Sequence, residues 1–437
     1  ADDETIRQFI CTRKDCLPSV LTALRIHKDD LKVRSRAMYF LWILSQFHGN
    51  RSLISAVDPK EILKYLESNA ESDPLTQTGA LGFLRNLAHV NTQGIVDANG
   101  ISTIVGAIRR GVEHADLARN GCNALQIIAT NGSCHKRISD ANGIEAVVAA
   151  MLTHKKDART QCAGLLMLEQ MSMSAECKDD ILEKGGMGAL LAAMNNQEDD
   201  TLAQEKGSAI IVNLIGKDAV AKSRELNPKI RNSIFRAMKK HRDNEKVQNY
   251  GCAIISVLAK EGQCQSIATG GGIDDIFTAM TIHNRSTFVL RHAVSALEKL
   301  ARRSQTAKKE ILDKSGIDRI CSVLEKKASD RELQLVGWQG LECLFSEEED
   351  MVGYAVEVTK NIVGAFRATI AKHGKDDVIV DAVFRAMLEL AASPENNSKL
   401  SFEAVGVAMT GVMEGFSKDH TSLRALHASF IKRIQHV

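Results

Sequence analysis

"DANGI" at residues 97–101 recurs unchanged at 140–144, with Asp97 and Asp140 43 residues apart. Other copies of its core, a Gly followed by an apolar residue, decide whether this is coincidence. Gly100-Ile101 and Gly143-Ile144 are followed by Gly186-Met187, Gly272-Ile273 and Gly316-Ile317, at gaps of 43, 43, 86 and 44. The long gap is two periods. Its missing copy falls at 229, where the chain reads "NPKI" and Pro228-Lys229 replace the Gly. A second marker keeps the same step. Apolar segments close on Leu44-Ser45, Leu87-Ala88, Ile128-Ala129, Met171-Ser172, Leu214-Ile215, Leu258-Ala259, Leu300-Ala301, Leu344-Phe345 and Leu390-Ala391, in steps of 41 to 46. Two independent markers with one period define a repeat array.

The composition fits helices. Only 5 of the 437 residues are Pro, and aromatics make up 4%. Scarce breakers and scarce ring residues argue against a sheet protein. The 56 basic and 54 acidic residues nearly cancel, so bulk charge points neither to nucleic acid nor to a membrane surface. The 10 cysteines show no CxxC pair and no tight cluster with His, which suits small buried apolar residues in a reducing cytosol. No stretch reaches the length of a membrane span.

One unit shows the local grammar. "CHKRISDA" from 134 reads as a short helix, and Asn142-Gly143 stops it, the Gly being expected to supply the left-handed residue. The next helix places Ile144, Val147, Val148 and Met151 on one stripe. Asp157 is the expected N-cap of a third helix whose apolar face carries Cys162, Leu165, Leu168 and Met171. "NPKI" breaks this pattern, and a local bend or an altered first helix is expected in the sixth unit.

Three helices per period, with a Gly between the first two, resembles the armadillo repeat over the whole chain. The family's asparagine before the Leu-Ala pair is present as Asn86 and Asn213, with Gln170 as a substitute. Its regular tryptophan one turn earlier is absent, and Gly82, Leu166 and Ala209 stand there instead. The resemblance implies an all-α, right-handed superhelical solenoid of about ten units. The expected units are 1–48, 49–90, 91–131, 132–174, 175–217, 218–261, 262–303, 304–346, 347–392 and 393–437, forming one domain. It also implies a concave groove lined by the third helices. That stripe would hold Tyr39, Trp42 and Ile43, then Arg85 and Asn86, then Asn123, Gln126 and Ile127, then Glu169 and Gln170, then Val212 and Asn213. Ser256, Val257, Glu298, Lys299, Glu342, Arg385 and Glu389 would continue it.

Catalytic patterns are missing: no HExxH, no GxSxG and no phosphate loop of the GxxxxGK[ST] kind. Neither a cofactor nor a metal is expected, and an enzyme is not. "GGG" at 270–272 and "GGMG" at 185–188 coincide with the helix stops of other units. His27, His154, His241 and His283 lie at helix ends, where the dipole favours them. Basic pairs at Arg109-Arg110, Lys155-Lys156, Lys239-Lys240 and Lys326-Lys327 recur in register on one edge, each followed by acids that nearly neutralise it. The acidic run at 347–350 reads as a solvated helix start.

The groove therefore carries the functional expectation. Tyr39, Trp42, Arg85, Asn86, Asn123, Gln126, Glu169, Gln170 and Asn213 are its candidate residues. Amides both donate and accept, so they can hold an extended backbone of any sequence. Trp42 and Tyr39 could anchor an apolar side chain, or Trp42 could simply pack under the first unit. The expected role is a cytoplasmic scaffold binding extended or helical protein segments. A structural part in a cytoskeletal or axonemal assembly, or a chaperone-like binding of clients, are the alternatives. The stripe mixes Arg85, Lys299 and Arg385 with Glu169, Glu298, Glu342 and Glu389, which disfavours nucleic acid. The missing tryptophans separate it from importin-α, and the groove lacks the strongly basic character of β-catenin. The oligomeric state is left open.

Overall fold

The computed structural model describes residues 13, 15–67, 73–216, 225–260, 262–346, 359–393, 396–397, 400, 405–417 and 419–435. The acidic run at 347–350 lies outside them. Every element among the described residues is a helix. The helices divide into two compact units, Ala1–Leu214 and Ile215–Val437.

In the first unit a short helix, a middle helix and a longer third helix recur. His135–Asp140, Gly143–Thr153 and Ala158–Ser172 form one such set, and Ala175–Glu183, Gly186–Asn196 and Thr201–Ile215 the next. The preceding repeat is fused to its neighbour. Helix Pro74–Asp97 joins a third helix to the following first helix across a kink at Asn91, with φ −147° and ψ 53°. In the second unit the pattern returns as Cys264–Thr269, Gly272–Ile282 and Thr287–Arg303, then Gln305–Asp313, Gly316–Lys326 and Arg331–Phe345. Each unit is thus an all-α solenoid stack, and within each the third helices pack chiefly against one another. No repeat buries its apolar surface alone, so stacking makes the core. Ile144, Val147, Val148 and Met151 are buried as their spacing required, and so are Leu165, Leu168 and Met171. Cys162 is only half-buried, because it lies at the margin of that face.

The helix stops differ from the expectation in one respect. The left-handed residue is Asn142, at φ 60°, and not Gly143. Asn99, Gly185, Gly271 and Ser315 hold the same position in other repeats, at φ between 57° and 82°. The recurring Gly follows, as the first residue of the middle helix. A Cβ on Gly100, Gly143, Gly186, Gly272 or Gly316 would lie 2.6–2.9 Å from the carbonyl oxygen of the isoleucine five residues earlier. The glycine is therefore a close-approach residue, where backbone meets backbone.

Third helices begin on side-chain caps. Asp30, Asp157, Ser286, Asp330 and Asp376 each accept a bond from a backbone N–H of the first turn. Four residues into the helix, Gln161, Gln204, Gln248 and Gln334 are buried. Each Nε2 donates to two carbonyls at the end of the preceding middle helix, for Gln204 those of Met194 and Gln197 at 2.8 and 2.9 Å. Helix-end carbonyls lack the full set of intrahelical donors, and the glutamine adds one to each; the outer carbonyl, such as that of Gln197, also accepts the N–H of the next helix's cap residue, Asp200.

The irregular unit takes a definite form. Residues 227–230 lie inside one helix, Leu226–Lys240, with Pro228 in its first turn and its cap residue Glu225 right-handed at φ −85°. Proline is tolerated there because a first-turn N–H has no intrahelical acceptor.

Candidate functional site

The third helices are enclosed on three sides and keep a narrow half-exposed strip. Arg85, Asn86, Asn123, Gln126, Glu169, Gln170 and Asn213 lie on it, with Trp42 half-buried and Tyr39 exposed. Ile127 and Ser256, expected on the strip, are 6% and 4% exposed and belong to the core. Neighbouring third helices crowd both flanks of the strip, so positions one step off it are covered.

Trp42 and Tyr39 make an edge-to-face pair with ring centroids 5.4 Å apart. The Trp42 indole rests on Gly82, where a Cβ would fall 2.5–2.6 Å from its ring atoms. Gly82 is the position at which the armadillo pattern would carry a tryptophan, so the preceding repeat supplies the ring instead.

The two asparagines are already engaged. Asn86 Nδ2 donates to Ser45 Oγ at 2.7 Å, and Asn213 Nδ2 to Ser172 Oγ at 2.9 Å. Each serine in turn donates to a carbonyl of its own helix, that of Trp42 or Glu169. These bonds stitch adjacent third helices together. Glu169 pairs with Lys206 of the next repeat at 2.9 Å. The side chains of Asn123, Gln126 and Gln170 make no hydrogen bond to another described residue, leaving both amide functions available. Arg85 is half-buried with its Nε unpartnered, and burial followed by the charge of Arg119 lowers its pKa.

The second unit has a feature that the sequence reading missed. A groove of about 500 Å³ on its third-helix face is lined by Arg302, Gln339, Glu342, Asp377, Asp381 and Arg385. Arg302 pairs with Glu298 and Arg385 with Asp381, both at 2.6 Å. Burial holds Glu342 above the usual carboxylate range. Glu342 and Arg385 were legible as strip positions, but nothing in their local sequence marks a groove.

The edges are quieter. Arg109 pairs with Glu145 of the next repeat at 2.8 Å, and Lys327 Nζ donates to the Arg285 carbonyl. His154 and His283 donate from Nε2 to the carbonyls of Val112 and Arg242 in the preceding repeat, so they tie repeats together beyond any dipole effect. Among the described residues, no three His, Cys, Asp or Glu side chains converge to hold a metal ion. No helix among them is long and apolar enough to cross a membrane.

Stacked three-helix repeats with a polar third-helix strip define an armadillo-like fold. Among solved structures, one determined in work on a phosphorylation switch in the interaction between cadherin and beta-catenin is similar to this chain. It has a TM-score of 0.68 and 14% identity, over 97% of this chain and 91% of that one. An engineered protein solved by the Northeast Structural Genomics Consortium matches with a TM-score of 0.67 and 18% identity, over 96% of this chain and 98% of the other. At such identity the likeness is one of fold. No protein-family model matches the chain, and no curated protein does.

Proposed function

We propose that the chain is a non-catalytic cytoplasmic scaffold that holds extended or helical segments of partner proteins along its third-helix strip. The observation that carries this reading is the run of uncommitted amides, Asn123, Gln126 and Gln170, on the strip that begins with the exposed Tyr39 and the half-buried Trp42. Such amides match the alternating donors and acceptors of a peptide backbone. The test compares wild type with the combined variant Asn123→Ala, Gln126→Ala, Gln170→Ala in a pull-down. Partner capture is expected to fall while the melting temperature holds, since none of the three bonds within the protein. Undiminished capture would refute the strip as the binding surface. Asn86 and Asn213 are poorer probes, because removing them breaks the ties to Ser45 and Ser172.

A structural role in a larger assembly rests on a different surface. Phe288 and Ile282 are 64% and 44% exposed on the edge of the second unit. Crosslinks from partners to that edge, with none to the strip, would favour the assembly role.

A further inference from the structure

Charge on the third-helix face of the first unit is locally unbalanced at Arg85. The side chain is half-buried, its Nε donates to nothing, and no carboxylate among the described residues pairs with it. Its surroundings add to the imbalance. Arg119 contributes positive charge from the next third helix, and its own partner is Asp116, a 67% exposed carboxylate at the rim. His89, one turn beyond Arg85, is held below the usual imidazole range by burial and by the charges of Arg85 and Arg51. Further along the same face the charges are settled internally, as in the Glu169–Lys206 pair.

The neighbours of Arg85 are donors too. The Trp42 indole lies on Gly82, one turn before Arg85, and its Nε1 has no acceptor. Asn86 is fixed by Ser45, and Asn123 on the next third helix is uncommitted. A desolvated guanidinium without a counter-ion is unfavourable in the free protein, and an anion that reaches it removes the penalty while gaining a charge-assisted bond.

We propose that Arg85, on the third helix packed between those of Trp42 and Asn123, receives a carboxylate side chain from an extended acidic segment of a partner protein. This rests on the reading of the third-helix strip as the binding surface, and it adds the chemistry of one subsite.

Tryptophan emission tests it. The chain has 2 tryptophans. Trp338 is fully buried and bonded to Thr369, so it gives a constant background. The full chain is titrated with peptide pools of equal length, randomised except for a central Glu, Gln, Lys or phosphoserine. The Glu pool is expected to perturb Trp42 and to bind about tenfold tighter than the Gln pool. Trp42→Phe should remove the signal. Arg85→Gln should erase the preference for Glu, and Arg85→Lys should restore part of it. Arg85→Gln should also keep or raise the melting temperature, because it removes an unpaired half-buried charge. Equal binding of the Glu and Gln pools, tighter binding of the Lys pool, or binding of the phosphoserine pool alone would overturn the carboxylate subsite and leave the strip standing. A lower melting temperature in Arg85→Gln, with all pools weakened alike, would make Arg85 structural and overturn the subsite as well. No response to any pool would count against the strip itself, and the subsite would fall with it.

Discussion

The helix stop at 142–143 offers the sharpest test of the packing argument. In Gly143→Ala, the new Cβ would lie 2.6 Å from Ile138 Cγ2 and 2.9 Å from the Ile138 carbonyl oxygen. The methyl group could swing aside, but the carbonyl is part of the helix backbone and cannot yield without shifting the turn. Overpacking of this kind costs about 1–3 kcal/mol. Asn142, at φ 60°, is the left-handed residue. Asn142→Ala should cost about 1 kcal/mol, since a Cβ without a local polar bond is strained there. Asn142→Gly should be close to neutral, because Gly185 and Gly271 occupy the same place in other repeats. The decisive variant is Gly143→Asn. If Gly143 were the left-handed residue, asparagine would be tolerated at it. Given the close approach to Ile138, it should destabilise at least as much as Gly143→Ala. Thermal unfolding by circular dichroism, with amide exchange across helix Gly143–Thr153, reads both effects. Exchange matters because a repeat array can open locally without global unfolding. Ile138→Ala in the Gly143→Ala background should not rescue it, because the carbonyl stays in place and a buried side chain is lost, so the two losses should come close to adding. Wild-type stability in Gly143→Asn would refute the close-approach argument.

Two further predictions follow from buried polar groups. Asp275 is 7% exposed, and burial raises its pKa to about 6 against the nearby charges of Lys239 and Arg242. A carboxyl raised in the folded state adds stability below its unfolded pKa of about 4, and that stability is lost as the pH climbs through about 6. Asp275→Asn should therefore stabilise the protein at neutral pH by about 2 kcal/mol and match wild type below about pH 4. Melting temperatures across that range check it, and a variant less stable at neutral pH would contradict it. Gln204 is 2% exposed and holds the Met194 and Gln197 carbonyls. Gln204→Leu should cost about 1–3 kcal/mol by removing one donor from each carbonyl, although Gln197 keeps the N–H of Asp200, and unchanged urea unfolding would show that these bonds contribute nothing.

Much of the architecture is local, and so was readable in the sequence. Helix periodicity, the Asp157 cap and the 43-residue step are short-range properties of the chain. Together they give the helical class and the repeat, while the third-helix strip came from the armadillo resemblance, and Ile127 and Ser256 proved to lie in the core instead. The irregular unit at 227–230 was also marked, because proline and lysine replace the glycine there. Only the tertiary structure decided what those residues meet. Gly143 looked like the left-handed residue because glycine usually is, and the contact with Ile138 gives it a different reason. Asn86 looked free to bind a partner until Ser45, 41 residues earlier, was seen to hold it. Arg85 looked like one charge in a mixed stripe, and its want of a partner emerged only once its neighbours were placed. The groove at Glu342 joins residues from Arg302 to Leu423. Satisfaction of polar groups and closeness of packing are relations between residues a repeat or more apart. They leave no local pattern, whereas helix formation and capping depend on neighbours within a turn.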